Sequence, residues 1–265
     1  MISITSPKNP KIKQIKSLYR KKERWNSKLF LVEGIKIVEE CIDNNYPIEN
    51  IIYTDELFNI TGGEEIYEKI KLYDKLIYVP QKLFKEISDT ENPQGIMAIA
   101  KFTQRPINKL FKSKNPFILF LDEVQDPGNM GTIIRTADAF NIDGIVVSEG
   151  SVDIYNPKVV RSTMGSIFRI PIYHTWDKIG TIKELKNRGF KIFTTSLEGK
   201  DYIYNIDFKG SSVILIGNES KGVSFELHSL ANQWIKIPIL GETESLNVAV
   251  ASSIIMYEVM RQRIG

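Results

Sequence analysis

The run Asp126-Pro-Gly-Asn-Met-Gly-Thr-Ile-Ile-Arg135-Thr-Ala-Asp138 follows the apolar Phe117-Ile-Leu-Phe-Leu121 and leads into an amphipathic stretch. It reads as a strand-to-helix turn that presents backbone N–H groups and one cation, Arg135, at the open end of a sheet. That is where doubly wound α/β domains bind their ligands. The same layout recurs at Ile216-Gly-Asn-Glu-Ser-Lys-Gly222 and at Ile237-Pro-Ile-Leu-Gly-Glu-Thr-Glu-Ser-Leu-Asn247. Three such loops in one domain imply one composite site. They are rich in Gly, Asn, Ser, Pro and Glu and hold no cysteine or histidine, and the aspartates at the two ends of the first run are not read as nucleophiles. Such a set suits a reaction in which the protein supplies geometry and electrostatics and a reactive donor supplies the chemistry. Asn156-Pro-Lys158-Val-Val-Arg161 adds two cations at a helix start, placed to hold phosphates.

The familiar nucleotide loops do not fit. A dinucleotide site needs G-x-G-x-x-G after its first strand, and that spacing is missing from the chain. Gly217-Asn-Glu-Ser-Lys-Gly222 has the glycine spacing of a P-loop, but Val223 stands where the phosphate-binding lysine belongs. Gly128-Asn-Met-Gly131 matches the G-x-x-G of an RNA-clamping loop, a match too short to carry weight alone.

The elements that must position these loops follow from periodicity. Strands are expected at 117–121, 144–148, 168–173, 190–195, 212–216 and 234–238, with helices at 130–140, 156–166, 176–188, 224–231 and 247–262. Strict alternation predicts a mostly parallel sheet covered on both faces. Within the last helix Leu246, Val248, Val250, Ile254 and Ile255 read as core, and Ser245 or Asn247 as its cap. Upstream, strands at 28–32, 50–54, 76–79 and 95–100 alternate with helices at 33–44, 63–73 and 81–88 in a small α/β unit. Two prolines and several cations break the pattern between Thr103 and Pro116. The expected division is a first domain over 1–105, a linker over 106–115 and a second domain over 116–265.

Composition narrows the class. The chain has 265 residues, 42% of them hydrophobic, enough for one large or two small soluble domains. No apolar run approaches the roughly 18–20 residues that cross a bilayer, so no membrane partner is expected. Cys41 is the lone cysteine and His174 and His228 the only histidines, which argues against a disulfide framework or a metal site and fits a reducing cytoplasm. Residues 1–28 hold nine Lys/Arg against the single acid Glu23, so within a net charge of +3 the other 237 residues sum to −5. A helix capped by Asn9 and opened by Pro10 would bury Ile12, Ile15 and Leu18 and leave Lys11, Lys13, Arg20 and Lys21 facing solvent or RNA. A basic arm of this kind attracts a phosphate backbone. Trp25 and Tyr19 lie among these cations and could stack on bases, although core packing is the commoner use of a lone Trp.

The three loops together resemble the motifs of the SpoU (TrmH) family of SPOUT-class RNA ribose 2'-O-methyltransferases. The first is matched by Asn129-Met-Gly131-Thr-Ile-Ile-Arg135-Thr-Ala, the second by Ile216-Gly217-Asn218-Glu219-x-x-Gly222, and the third by Ile237-Pro238 with Ser245-Leu246-Asn247-Val248-Ala249-Val250. Ser220-Lys221 departs from the residues common in the second motif. The resemblance covers residues 115–263 and implies a parallel-sheet domain tied as a trefoil knot, working as a homodimer without metal. It implies S-adenosylmethionine as the cofactor, held near Thr195, Gly217, Asn218, Ile237, Pro238 and Leu246. Arg135 would assist deprotonation of a ribose 2'-OH, with Asn129, Glu219, Ser245 and Asn247 shaping the site. A guanidinium holds its proton tightly, so Arg135 is either a strongly perturbed base or an electrostatic stabiliser of the alkoxide.

Residues 1–105 resemble the substrate-binding domain of rRNA-modifying members, through Lys28-Leu-Phe-Leu-Val-Glu-Gly34 and Pro93-Gln-Gly-Ile-Met-Ala98. With that resemblance Lys11, Lys13, Arg20, Lys21, Lys158 and Arg161 become RNA contacts, and 23S rRNA the leading substrate. The alternatives are a tRNA ribose methyltransferase and a catalytically silent RNA-binding or assembly factor.

Overall fold

The computed structural model describes residues 2–111 and 113–264, so Lys112 of the expected linker lies outside the described residues. The chain forms two compact units, one of Met1–Thr103 with Asp153–Phe168, the other of Gln104–Val152 with Arg169–Gly265. Residues 153–168, which the sequence groups with the second domain, are built into the first unit.

The first unit runs β1 (Ile2–Ser3), α1 (Pro10–Ser17), α2 (Lys21–Ser27), β2 (Leu29–Glu33), α3 (Ile35–Asp43), β3 (Ile48–Tyr53), α4 (Gly63–Ile70), β4 (Leu76–Tyr78), α5 (Gln81–Ile87) and β5 (Ile96–Lys101). Its sheet has the order β1-β4-β3-β5-β2, with β5 antiparallel to both neighbours. Asn9 caps α1 by accepting the Lys11 N–H at 2.8 Å, and Pro10 occupies the first turn, where a missing N–H costs nothing. The apolar stripe of α1, Ile12 and Ile15, then packs with Leu18, Phe84, Met97 and Ile99 in the core.

The second unit opens with β6 (Phe117–Leu121), α6 (Pro127–Ala139) and β7 (Gly144–Ser148). After α7 (Pro157–Ser162), which packs on β2 of the first unit, it resumes with β8 (Ile172–Thr175), α8 (Lys178–Asn187), β9 (Lys191–Thr195), β10 (Asp201–Tyr202), β11 (Ser212–Ile216), α9 (Phe225–Leu230), β12 (Gln233–Lys236) and α10 (Val248–Ile264). Among the described residues these strands form a parallel sheet of order β10-β12-β9-β11-β6-β7-β8. β6 and β11 lie side by side in its middle, buried at every residue, as strands covered on both faces must be.

Two boundaries and the burial of one residue differ from expectation. The helix expected at 156–166 stops at Ser162, because Met164 (φ 50°) and Gly165 (φ 92°) take left-handed backbone that a right-handed helix excludes. The strand expected at 168–173 begins only at Ile172, since Ser166–Phe168 closes as a 3-10 turn. Val250, read as core, is 48% exposed, whereas Val248 and Ile255 are buried.

Candidate active site

The first loop turns out to be mostly helix. Asp126 accepts the Asn129 N–H at 2.7 Å and Pro127 opens α6, so Asn129 sits in its first turn. From there the Asn129 amide donates to Glu219 Oε1 at 3.1 Å. The Glu219 carboxylate also accepts the backbone N–H groups of Asp126 (3.3 Å) and Gln125 (3.4 Å). Partial burial opposes its charge, but the Asn129 amide and backbone N–H donors outweigh burial and hold its pKa below the usual carboxylate value. Glu219 is therefore an anionic acceptor in this arrangement.

That charge orients everything attached to it. A carboxylate only accepts, so Asn129 must face it with Nδ2 and turn Oδ1 the other way. Oδ1 accepts from Asn247 Nδ2 at 3.0 Å. Asn247 is thereby oriented too, with its Oδ1 towards the Ala249 (2.9 Å) and Val250 (3.3 Å) N–H groups at the start of α10. One hydrogen-bonded chain, Glu219 to Asn129 to Asn247, thus joins all three loops.

The second loop is pinched. Asn218 and Gly222 exchange backbone hydrogen bonds of 3.0 and 2.9 Å. A Cβ on Gly217 would lie 1.9 Å from the Gly222 carbonyl carbon, so only glycine fits there. The Asn218 side chain is fully engaged, donating to the Glu123 carbonyl at 2.9 Å and accepting the N–H groups of Ser220 and Lys221. Thr195 Oγ1 donates to the Leu215 carbonyl at 3.0 Å. Ile237, Pro238 and Leu246 are half-buried beyond the end of β12. Between them, residues 239–246 make no backbone–backbone hydrogen bond among the described residues. That leaves a polar main chain beside apolar side chains.

Arg135 and Ser245 lie outside the hydrogen-bonded chain. Arg135 is exposed on α6, about 9 Å along the axis from Asn129, with no hydrogen bond or ion pair among the described residues. The Ser245 carbonyl accepts from Thr243 Oγ1 at 3.1 Å, and its hydroxyl has no partner among the described residues.

The cations read as RNA contacts all belong to the first unit, and they divide in two. Lys11 pairs with Glu49 at 3.4 Å, Arg20 with Glu23 at 3.8 Å and Arg161 with Asp89 at 2.6 Å. Lys13, Lys21 and Lys158 are exposed without ion pairs among the described residues. Trp25 and Tyr19 are taken up by the fold. Trp25 packs edge-on to Phe102 and donates to Asp153 Oδ1, and Tyr19 donates to the Ile87 carbonyl.

Asp122 is the polar residue that sequence reading missed. It is 1% exposed at the end of β6, and an acid directly after a five-residue apolar strand was the available signal. Cys41 is buried, and burial pushes its thiol up to about 12, far from a nucleophile's range. Among the described residues no cluster of His, Cys, Asp and Glu could hold a metal ion, and no helix is long and apolar enough to cross a membrane.

A parallel α/β domain with three strand-end loops joined by amides around one carboxylate suits an enzyme whose group donor is bound rather than built in. The chain belongs to the SpoU rRNA Methylase family, whose model matches residues 116–257, and it is accordingly an RNA methyltransferase. Residues 9–98 match the MRM3-like substrate binding domain. The 23S rRNA (guanosine(2553)-2'-O)-methyltransferase RlmP of Bacillus subtilis is 35% identical, over 97% of this chain and 98% of its own. An AdoMet-bound rRNA methyltransferase from Sinorhizobium meliloti superposes with a TM-score of 0.86 at 32% identity, over 98% of this chain and 97% of that one. The SpoU methyltransferase AviRb from Streptomyces viridochromogenes, solved with AdoMet, gives 0.85 at 27% identity, covering 97% and 99%.

Proposed function

We propose that this protein transfers a methyl group from S-adenosylmethionine to a ribose 2'-OH of 23S rRNA. The observation that carries the reading is the chain Glu219–Asn129–Asn247, which draws the three motif loops to one point at the carboxyl ends of a parallel sheet. Similarity to rRNA enzymes over nearly the whole chain, substrate-binding unit included, supports rRNA over tRNA. Retention of all three motif loops weighs against a silent binding factor.

The residues fit the cofactor. An adenosyl group needs a flat apolar slot with a few directional hydrogen bonds. The backbone of 239–246, which makes no backbone–backbone hydrogen bond among the described residues, supports this together with the half-buried Ile237, Pro238 and Leu246. In this reading Thr195 and Gly217, at the ends of neighbouring strands, would border that slot, and Asn218 would contribute main chain, because its side chain is engaged elsewhere. When bound, S-adenosylmethionine supplies a methyl group made electrophilic by its sulfonium.

The chain's own task is to bring the ribose oxygen into line and to manage its charge. Arg135, a fixed cation with donors and no acceptor, stabilises the alkoxide as the proton leaves and neutralises the adjoining phosphate. Asn129, Glu219 and Asn247 hold the loops, and the Ser245 hydroxyl is open to ligand. Lys13, Lys21 and Lys158 meet the RNA backbone, while Lys11, Arg20 and Arg161 do so at the expense of their acidic partners. The reading includes a homodimer, supported by the exposed Val250 and Tyr257 on α10. It includes a trefoil knot in the C-terminal segment, supported by family membership, and a cytoplasmic site of action, where rRNA is found.

Methyl transfer from labelled S-adenosylmethionine into separated 23S, 16S and tRNA pools tests the proposal. Label in 23S rRNA, mapping to a ribose, is expected. Label confined to tRNA overturns the substrate, and no calorimetric S-adenosylmethionine binding overturns the activity.

A further inference from the structure

A second connection between the first two motif loops runs through residues outside the motifs. The Asp122 carboxylate, buried at the end of β6, accepts the Ser224 N–H on Oδ2 at 2.8 Å. Its Oδ1 accepts from Lys178 Nζ at 3.1 Å and lies 3.5 Å from Ser148 Oγ. Lys178, the first residue of α8, also pairs with Glu123 at 3.1 Å. Ser148 in turn accepts the Glu123 N–H at 3.0 Å, and Glu123 holds left-handed backbone (φ 61°). A buried carboxylate is costly unless its charge and lone pairs are met, and three elements of the domain meet this one.

The placement gives the cluster its consequence. Asp122 lies three and four residues before Gln125 and Asp126, whose N–H groups hold Glu219. Ser224 lies five residues after Glu219. The two loops are therefore fastened at three places: at their tips through Glu219, at the Glu123 carbonyl through the Asn218 amide, and at their bases through Asp122. With the base bond gone, Asn218 stays held by the Glu123 carbonyl, but the 219–224 segment loses its anchor at Ser224, and Glu219 can shift with it from Asn129. We infer that Asp122, held in place by Lys178, is a positioning residue that sets the spacing of the first two motif loops and so the geometry of the Glu219–Asn129–Asn247 chain.

The inference rests on the methyl-transfer reading, and the test separates the two. Wild-type protein must first label RNA; an inactive wild type counts against the activity, not against the clasp. In an active protein, Lys178→Met leaves Asp122 without its counter-charge, and kcat is expected to fall about tenfold or more. The calorimetric affinity for S-adenosylmethionine should stay within about threefold of wild type. Deuterium exchange over residues 217–225 should quicken, a change that a remote loss of stability would not confine to that loop. Asp122→Asn combined with Lys178→Met restores a neutral acceptor for the Ser224 N–H, so it should recover most of the lost kcat and the slow exchange. It also decides the matter if the single variant does not fold. Wild-type kcat and exchange in Lys178→Met, or a double variant no better than the single one or, where that does not fold, no nearer wild type than tenfold in kcat, would overturn the inference.

Discussion

Two regions handle polar side chains in opposite ways, the Arg24–Asp153 cluster of the first unit and the motif loops of the second. In the first, charge is buried and closed on itself. Arg24, 2% exposed, donates to Asp153 Oδ2 through Nε at 2.8 Å and to the Leu18 carbonyl through Nη1, while Asp153 Oδ1 takes the Trp25 indole. Nothing in that cluster is left for a ligand. In the second, the motif polar groups sit at the rim, and outside the chain that joins three of them Arg135 and the Ser245 hydroxyl have no partner among the described residues. Complete satisfaction marks structure, and arranged incompleteness marks a site.

Two carboxylates make the contrast quantitative in sign. Glu33 of the first unit is raised above its ordinary value chiefly by burial, which the hydroxyls of Ser88 and Thr90 do not offset. Glu219 of the second is lowered: burial opposes its charge, but the Asn129 amide and the backbone N–H donors together outweigh it. A raised acid favours folding fully below its unfolded value and loses that contribution as pH rises through the folded value. A lowered one contributes above its unfolded value and loses it as pH falls through the folded value.

The comparison breaks first, if it breaks, at Arg24. Arg24→Met strands a buried carboxylate and should cost about 3–5 kcal/mol of stability by urea titration; a loss under about 1 kcal/mol would show that the first unit does not depend on its closed cluster. Arg135→Ala should lower kcat by about 10²–10³ with an unchanged melting curve. Near-full turnover would remove Arg135 from the site. Glu219→Gln puts an amide N–H against a backbone donor, that of Gln125 or of Asp126, so it should reduce kcat by about tenfold or more. The wild type's activity should fall at acid pH as Glu219 takes its proton, a limb absent from the variant's pH profile. Glu33→Gln should leave stability at pH 8 equal or higher, since it removes a carboxylate that burial disfavours. A clear loss at pH 8 would reverse the assigned sign. The smallest effect is expected from Lys13→Gln with Lys21→Gln, where the salt dependence of RNA affinity should flatten by about 0.7–0.9 per lost phosphate contact. An unchanged slope would place RNA elsewhere.

Much of this was legible beforehand because the signals are local. The cap at Asn9, the alternation that gives a parallel sheet, and the three glycine-rich loops depend on neighbours within a few residues. Boundaries failed where backbone conformation intervened, as at Met164 and Gly165 after α7. Trp25 and Tyr19 were open between base stacking and packing, because neither Phe102 nor Ile87 is near them in sequence.

By itself the sequence determined which residues meet at the motif loops, since their types and order follow from chemistry that must be written locally. The tertiary structure decided which of them touch. Asn129, Glu219 and Asn247 lie 90 and 118 residues from one another along the two bonds that join them. It also assigned residues 153–168 to the first unit and made Asp122 a buried clasp. Those outcomes depend on which distant surfaces can be buried together and which polar groups must then be satisfied, a condition that no single stretch of chain contains.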